Sequence, residues 1–142
     1  MKRYVFGTEK PKPYCFPTHI NYLVMDRSQA LSSEVFIVEL ASGEAPPVHQ
    51  HDDMEQIFYI LTGRGRLEVG TEGETHLVGP GDVVRIPPST LHTVHCLGDT
   101  TLRYLAVDCF PTGPPAAEPT WDDHIKGVCA QLGWDYEQIA GE

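Results

Sequence analysis

Three histidines in the middle of the chain have the spacing of metal ligands. His49 and His51 are separated by one residue, so in an extended strand their imidazoles would point to the same face. A third histidine, His92, follows a proline-marked turn and stands at the start of an apolar run. Imidazole is a common ligand of divalent transition metals, so the spacing predicts that these side chains hold one such ion.

The run that begins at His92 indicates which way its side chain points. His92, Val94 and Cys96 share one face of the predicted strand. If that face lines the interior of a barrel, His92 points into the same cavity as the other two ligands, and His95 points away from it. We expect ordinary surface or turn positions for the remaining histidines, which are His19, His76, His95 and His124.

The surrounding sequence predicts the strands that position these ligands. Short apolar or alternating runs are separated by Gly, Pro and Asp at intervals typical of all-β sandwiches and barrels. Turn residues such as Gly63 and those at 79–82 supply the backbone conformations that tight connections require. The predicted strands are residues 22–25, 35–40, 57–61, 66–69, 75–78, 83–86, 92–97 and 102–109.

After the last predicted strand the composition changes. Residues 111–119 are rich in proline and are expected to run extended before the chain enters a helix. Thr120 can cap this helix with Asp123 three residues later, and Gly133 suits its end. We expect residues 1–110 to form the barrel, and residues 111–142 to form a linker and a helix within the same single domain. The apolar residues of the helix, at helical spacing, should pack on the outside of the barrel or against a dimer partner: Trp121, Ile125, Val128, Cys129 and Leu132.

The two histidine segments resemble the paired motifs of the cupin superfamily, G-x5-H-x-H-x3-4-E-x6-G and G-x5-P-x-G-x2-H-x3-N. The first motif is matched over residues 43–63 and the second over residues 81–92, with Ser89 and Cys96 where the second has Gly and Asn. The resemblance implies an all-β fold, the double-stranded β-helix or jelly-roll-like barrel, here with a short C-terminal α-helix. It also implies that the three histidines bind one divalent metal ion.

The first motif departs from the family pattern where most cupins have a ligating carboxylate. Counting back from its final glycine leads to Gln56, so a neutral amide occupies that position. Gln56 shares one face with Phe58 and Ile60, which favours an inward side chain and makes Gln56 the expected fourth ligand. Glu55 is the alternative, if a bulge turns it inward.

A ligand set of three imidazoles and one amide oxygen leaves a divalent ion with its full positive charge, whereas a carboxylate would cancel one unit of it. Such an ion is a strong Lewis acid and favours anionic ligands such as carboxylates or enolates. Imidazole and oxygen ligands suit Zn, Ni, Fe, Mn or Co, and the sequence does not choose among these metals.

A narrower resemblance concerns small cupins that act on unsaturated uronates in pectin degradation. They are similar in having two histidines, a glutamine and a later histidine as ligands, and an Asp-x-Phe-x-Pro-Pro-x-Arg-like sequence after the last strand. Residues 108–111 resemble the start of that sequence, but the arginine is absent. Asp108 is therefore either an acid/base group near the cavity mouth or a hydrogen-bond acceptor at the end of the strand.

We expect a metal-dependent enzyme that acts on a small oxygenated, anionic molecule. In the favoured mechanism the ion binds two substrate oxygens and stabilises an enolate while Asp108, Glu55 or Tyr104 moves the proton, which is isomerase or lyase chemistry. An Fe(II)-dependent dioxygenase and a non-catalytic binding or sensor protein are the alternatives. Small cupins commonly pair through sheet edges, so a homodimer is expected.

Charge and composition exclude other classes of partner. The net charge is −10, from 20 acidic and 10 basic residues, so nucleic acid and anionic membranes are poor partners. No apolar run approaches the ~20 residues of a membrane helix, and the first residues lack a signal-peptide core, so we expect a cytoplasmic protein with a small-molecule substrate. The scattered cysteines, Cys15, Cys96, Cys109 and Cys129, lack disulfide or zinc-site spacing.

Overall fold

Nine strands and two α-helices make up most of residues 3–141, the part of the chain that this computed structural model describes. The predicted domain limits also include residues 1, 2 and 142, which lie outside the described residues. A short 3₁₀ turn, Arg27–Gln29, joins the second and third strands. The strands are β1 (Lys12–Cys15), β2 (Ile20–Met25), β3 (Ser33–Leu40), β4 (Glu55–Thr62), β5 (Arg64–Val69), β6 (Glu74–Val78), β7 (Val83–Ile86), β8 (His92–Leu97) and β9 (Leu102–Cys109), and the helices are α1 (Trp121–Leu132) and α2 (Tyr136–Ala140).

The strands form two antiparallel sheets around a shared core. The larger sheet has the order β1-β2-β3-β9-β4-β7, and the smaller one has the order β6-β5-β8. All eight predicted strands are present, within one or two residues of the predicted ends. The predicted double-stranded β-helix with a short C-terminal helix is therefore confirmed.

Cross-strand register arranges the inward side chains of the larger sheet in rows. One row is polar and contains Glu34 on β3, Asp108 on β9 and Gln56 on β4. These three side chains are only 0%, 2% and 5% exposed. The two rows beside it are apolar or aromatic: Phe36, Ala106 and Phe58, followed by Val38, Tyr104 and Ile60.

Two elements were not predicted from the sequence. Strand β1 contains Pro13, but it lies at the edge of the larger sheet, where a missing N–H is tolerated. Helix α2 is capped by Asp135 and has only five residues, too few to show a helical period.

The extended path predicted for residues 111–119 is wrong. The segment folds into turns, because the N–H of Gly113 donates to the carbonyl of Phe110 and the N–H of Glu118 donates to that of Pro115. These turns shorten the connection and bring the following helix back onto the barrel.

Helix α1 begins and ends as predicted. The Thr120 side chain accepts from the N–H of Asp123, and Gly133 ends the helix in the left-handed conformation with φ of 72°. Trp121 and Ile125 are buried in the same core cluster as the inward rows of the sheet, so the apolar stripe packs against the barrel. A contact with a dimer partner stays a prediction. We call α1 the cover helix, since it forms part of the wall of the cavity described below.

Two further findings concern the helices and the cysteines. No helix within the described part of the chain is long and apolar enough to span a membrane. The four cysteines are free thiols, of which Cys96 and Cys129 are buried.

Candidate metal centre

The three histidines predicted as ligands converge inside the barrel. A ring nitrogen of each lies within 4.8 Å of a ring nitrogen of the other two. The backbone pairs His49 with His92, since the N–H of each donates to the carbonyl of the other at 3.2 and 2.9 Å. The carbonyl of His51 accepts from the N–H of Ser89 at 2.7 Å. Ser89 has a φ of 56°, the left-handed conformation for which the family motif has Gly.

Backbone carbonyls orient two of the imidazole rings. Nδ1 of His49 lies 2.7 Å from the carbonyl oxygen of Pro47, and Nδ1 of His92 lies 2.9 Å from that of Thr90. A carbonyl oxygen only accepts, so Nδ1 carries the proton in both rings. The lone pair is then on Nε2, which is the arrangement of histidines that bind a metal.

The same three histidines are held in the neutral form that a metal requires. Burial, together with the smaller effects of the neighbouring charges on His49, His124, His92 and Arg27, lowers the pKa of His51 to about 3. Burial also lowers the pKa of His92 to about 4, and it lowers the pKa of His49 as well. All three imidazoles are therefore unprotonated at neutral pH.

This neutrality predicts a pH-dependent stability of the metal-free protein. Below the ordinary histidine pKa of about 6.5 the unfolded chain binds a proton at His51 that the folded chain does not, so stability is present above that pH and is lost as the pH falls toward 3. We expect His51→Gln to reduce the slope of the free energy of unfolding against pH by up to about 1.4 kcal/mol per pH unit. Urea unfolding between pH 4 and 8 measures this. The exposed His76→Gln is the matched control, and identical profiles for wild type and His51→Gln would contradict the prediction.

Gln56 presents an unpaired oxygen beside the histidines. Its Nε2 donates to Oδ1 of Asp108 at 2.7 Å. Its Oε1 is buried and has no hydrogen-bond partner among the residues that the structure describes. Gln56 lines the same cavity as the three histidines. Buried polar atoms are almost always paired, so this oxygen fits a ligand to a divalent cation. The residues present therefore suit a site made of three histidines and one amide.

The three predicted acid/base residues lie in different surroundings. The Glu55 carboxylate is on the other face of β4, 3.4 Å from Arg85. Tyr104 lines the cavity against Phe58, with ring centroids 4.8 Å apart, and burial raises the pKa of its hydroxyl. Asp108 is buried behind Gln56.

Asp108 belongs to a polar chain that the sequence analysis missed. Burial raises the pKa of Asp108 well above its usual range, and the hydrogen bond and negative charge of Glu34 raise it further. Glu34 in turn forms two hydrogen bonds with Arg27, at 2.7 and 3.0 Å. The surroundings of Asp108 therefore favour its protonated form.

The histidines and Gln56 open into a cavity of about 460 Å³. Most of its exposed wall is apolar, and the part nearest the smaller sheet is formed by Leu91 and Val94. None of the described residues that line it is Lys or Arg. The aromatic residues of the wall are Phe16, Phe36, Phe58, Tyr104, Trp121 and Trp134.

His124 on the cover helix faces this cavity, contrary to the expected surface position. Its ring centroid lies 6.4 Å from that of His51, and its Nδ1 lies 3.0 Å from Oε1 of Glu118. The carboxylate accepts from Nδ1, which leaves Nε2 as the acceptor. One signal in the sequence was available, because His124 lies three residues after Trp121, on the apolar stripe of the helix.

The other three histidines divide between the cavity and the outer surface. His19 lies in the turn between β1 and β2, one of the two kinds of position expected, since its carbonyl accepts from the N–H of Phe16 at 2.9 Å. Its side chain lines the cavity, where burial lowers its pKa to about 4. His76 is exposed beside Glu74, and His95 lies on the outer face of β8 beside Glu68, both as expected.

Comparisons with known proteins find one matching family and several related sequences. The family described as Cupin domain matches residues 36–108. An uncharacterized protein of Methanocaldococcus jannaschii is 36% identical over 63 residues, which are 44% of this chain and 49% of that protein. The quercetin 2,3-dioxygenase of Bacillus subtilis is 28% identical over 92 residues, which are 65% of this chain and 24% of that protein. The chain thus spans about half the length of the first relative and about a quarter of the second.

A solved structure shares the fold. The crystal structure of a predicted oxalate decarboxylase from Thermotoga maritima superposes with a TM-score of 0.67 at 20% identity, over 75% of this chain and 99% of that chain. The matched family segment covers just over half of this chain and contains all three histidines, Gln56 and Asp108. This protein therefore belongs to the cupin family.

Proposed function

We propose that this protein is a metal-dependent enzyme that acts on a small molecule with an apolar body and an anionic oxygen group. The observation that carries the proposal is the oxygen of Gln56, which is buried without a partner in the described structure, on a residue that lines the same cavity as the three clustered histidines. An unpaired buried acceptor costs about 1–3 kcal/mol. Binding of a cation by these four side chains would remove that cost.

The charges around the cavity support an anionic substrate group at the centre. When bound, a divalent ion with four neutral ligands supplies an uncancelled positive charge that polarises substrate oxygens. Within the described wall there is no Lys or Arg to hold an anion elsewhere. The aromatic and aliphatic side chains of the wall suit the rest of the substrate, and they disfavour a sugar acid with many hydroxyls.

Two side chains are positioned to contact the substrate. The Tyr104 hydroxyl stays protonated because burial raises its pKa, so it can donate a hydrogen bond to a substrate oxygen. His124 has its Nδ1 held by Glu118 and can accept a proton at Nε2. Asp108 is engaged by Gln56 and Glu34, which favours a supporting role, and the outward position of Glu55 favours none.

The strong Lewis-acid character expected of such an ion favours proton transfer next to a carbonyl, which is isomerase or lyase chemistry. A dioxygenase is the second candidate. It is favoured by the aromatic wall and by the relative named quercetin 2,3-dioxygenase.

The test uses protein purified without added metal. We expect about one divalent ion per chain by elemental analysis, and faster keto–enol conversion of phenylpyruvate, which combines an apolar ring with a carboxylate, than aldose–ketose isomerisation of galacturonate. Activity that persists without oxygen supports the isomerase or lyase, whereas oxygen uptake equal to substrate loss supports the dioxygenase. Wild-type protein that holds no Zn, Ni, Fe, Mn or Co would overturn the proposal. Turnover of galacturonate alone would overturn the apolar substrate class.

A further inference from the structure

A continuous chain of buried polar side chains leads away from the amide of Gln56. Gln56 donates to Asp108 at 2.7 Å, and Asp108 lies directly opposite Glu34 on the neighbouring strand, where both side chains are buried. Both carboxylate oxygens of Glu34 accept from Arg27, at Nε and Nη2. Arg27 is 2% exposed, so the whole chain lies in the protein interior.

We propose that Arg27, Glu34 and Asp108 are positioning residues that turn the amide of Gln56 so that its oxygen, and not its nitrogen, faces the three histidines. The inference rests on the proposed metal site. By fixing which end of the amide faces the histidines, these buried side chains make a neutral amide usable as a ligand.

An amide needs such orientation, whereas a carboxylate does not. The two ends of the Gln56 amide have almost the same shape, but only the oxygen can bind a cation. Asp108 offers an oxygen as acceptor to one end of the amide, so the NH₂ group faces Asp108 and the oxygen is left for the cavity. Asp108 is itself held by Glu34, and Glu34 is held by the rigid fork of the Arg27 guanidinium.

A purely stabilising role explains the Arg27–Glu34 pair less well. Taking two charges out of water is costly, and apolar side chains of similar volume often replace a buried ion pair without loss of stability. In some proteins a buried pair instead specifies one arrangement of the groups around it. Here the group with two possible arrangements is the Gln56 amide.

The remaining terminal nitrogen of Arg27 contacts the segment that leads into the cover helix. Nη1 donates to the carbonyl oxygen of Glu118 at 3.1 Å, and the Glu118 carboxylate holds Nδ1 of His124 at 3.0 Å. The Arg27 guanidinium therefore contacts both Glu34, which lies on the path to the proposed amide ligand, and Glu118, which holds His124.

The test is the double substitution Arg27→Met with Glu34→Leu, which removes one positive and one negative charge and leaves apolar volume in their place. Met can keep the contact that Arg27 makes with the ring of Phe110. We expect the thermal midpoint of the metal-free protein to stay close to that of wild type, while affinity for Zn²⁺ falls about 10- to 100-fold. Competition with a chromophoric chelator measures the affinity, and the visible spectrum of bound Co²⁺ reports the altered ligand set.

The matched control is Arg103→Met with Glu39→Leu. This Arg–Glu pair joins β9 to β3, the strand that also carries Glu34, at 3.3 Å, but it is partly exposed and points away from the cavity. It should leave Zn²⁺ affinity unchanged. Wild-type affinity in the Arg27 and Glu34 double variant, with a wild-type Co²⁺ spectrum, would overturn the inference.

The same double substitution in a Gln56→Glu protein provides a second comparison, which remains informative if the double variant is unstable. In a Gln56→Glu protein both ends of the side chain are oxygens, so loss of the chain should no longer reduce metal affinity. An equal reduction in both backgrounds would mean that Arg27 and Glu34 act only on general stability, and would overturn the inference. Failure of wild type to bind any metal, by contrast, refutes the proposed function itself.

Discussion

Replacing His51 by alanine is expected to lower Zn²⁺ affinity by more than about 100-fold, because loss of a direct ligand should exceed the 10- to 100-fold effect of removing a supporting contact. The side chain of His51 is one of three imidazoles within 4.8 Å of one another, so its removal leaves two imidazoles and one amide. Chelator competition on the refolded or natively purified variant measures the loss, with circular dichroism as the check on the fold.

His95→Ala is the matched control for this prediction. His95 lies on the outer face of β8, whereas His92 on the same strand faces the cavity. The Zn²⁺ affinity of Gln56→Leu should fall between the affinities of His51→Ala and His95→Ala, because the three imidazoles remain. Full wild-type affinity in His51→Ala would refute the ligand assignment.

Substituting alanine for Gly63 is expected to destabilise the protein by more than about 3 kcal/mol, through overpacking against rigid backbone. Gly63 connects β4 and β5 with a φ of 85°. An added Cβ would lie 2.4 Å from the carbonyl oxygen of Thr101 and 2.7 Å from Cα of Leu102. Both atoms belong to the backbone, so a side-chain rotation cannot relieve the contact.

Gly70→Ala separates this clash from the effect of the backbone angle. Gly70 has a φ of 82°, but nothing lies within 4 Å of the added Cβ. Its cost should be that of the left-handed conformation alone, about 1–2 kcal/mol. Urea unfolding of both variants measures the difference, and equal losses would contradict the clash.

The strands and the three histidines could be predicted because a strand has a period of two residues. Alternation along residues 92–97 assigned His92 to the interior and His95 to the surface, as the structure has them. The same alternation put Gln56 on the inward face with Phe58, where the structure also has it. Such assignments need only local geometry.

The parts of the site that were missed depend on contacts between distant segments. The predicted strand that corresponds to β3 began at residue 35, one position too late to include Glu34, so a buried carboxylate on an apolar face went unnoticed. Nothing local links Arg27 to Glu118, or His51 to His124, since each pair meets only when the cover helix folds back onto the barrel. The position of that helix could not be read from its amphipathic pattern, which fits an outer wall and a cavity wall equally well.

The place of the cover helix in the chain has a consequence for how such proteins diversify. The segment shared with the family ends at residue 108, and the helix that contributes Trp121 and His124 to the wall begins only after it. The three histidines with Gln56, and the part of the cavity wall formed by the cover helix, are thus encoded one after the other. Recombination near residue 110 would exchange the second while leaving the first intact, which would be a direct route to new ligand specificity at the proposed metal site.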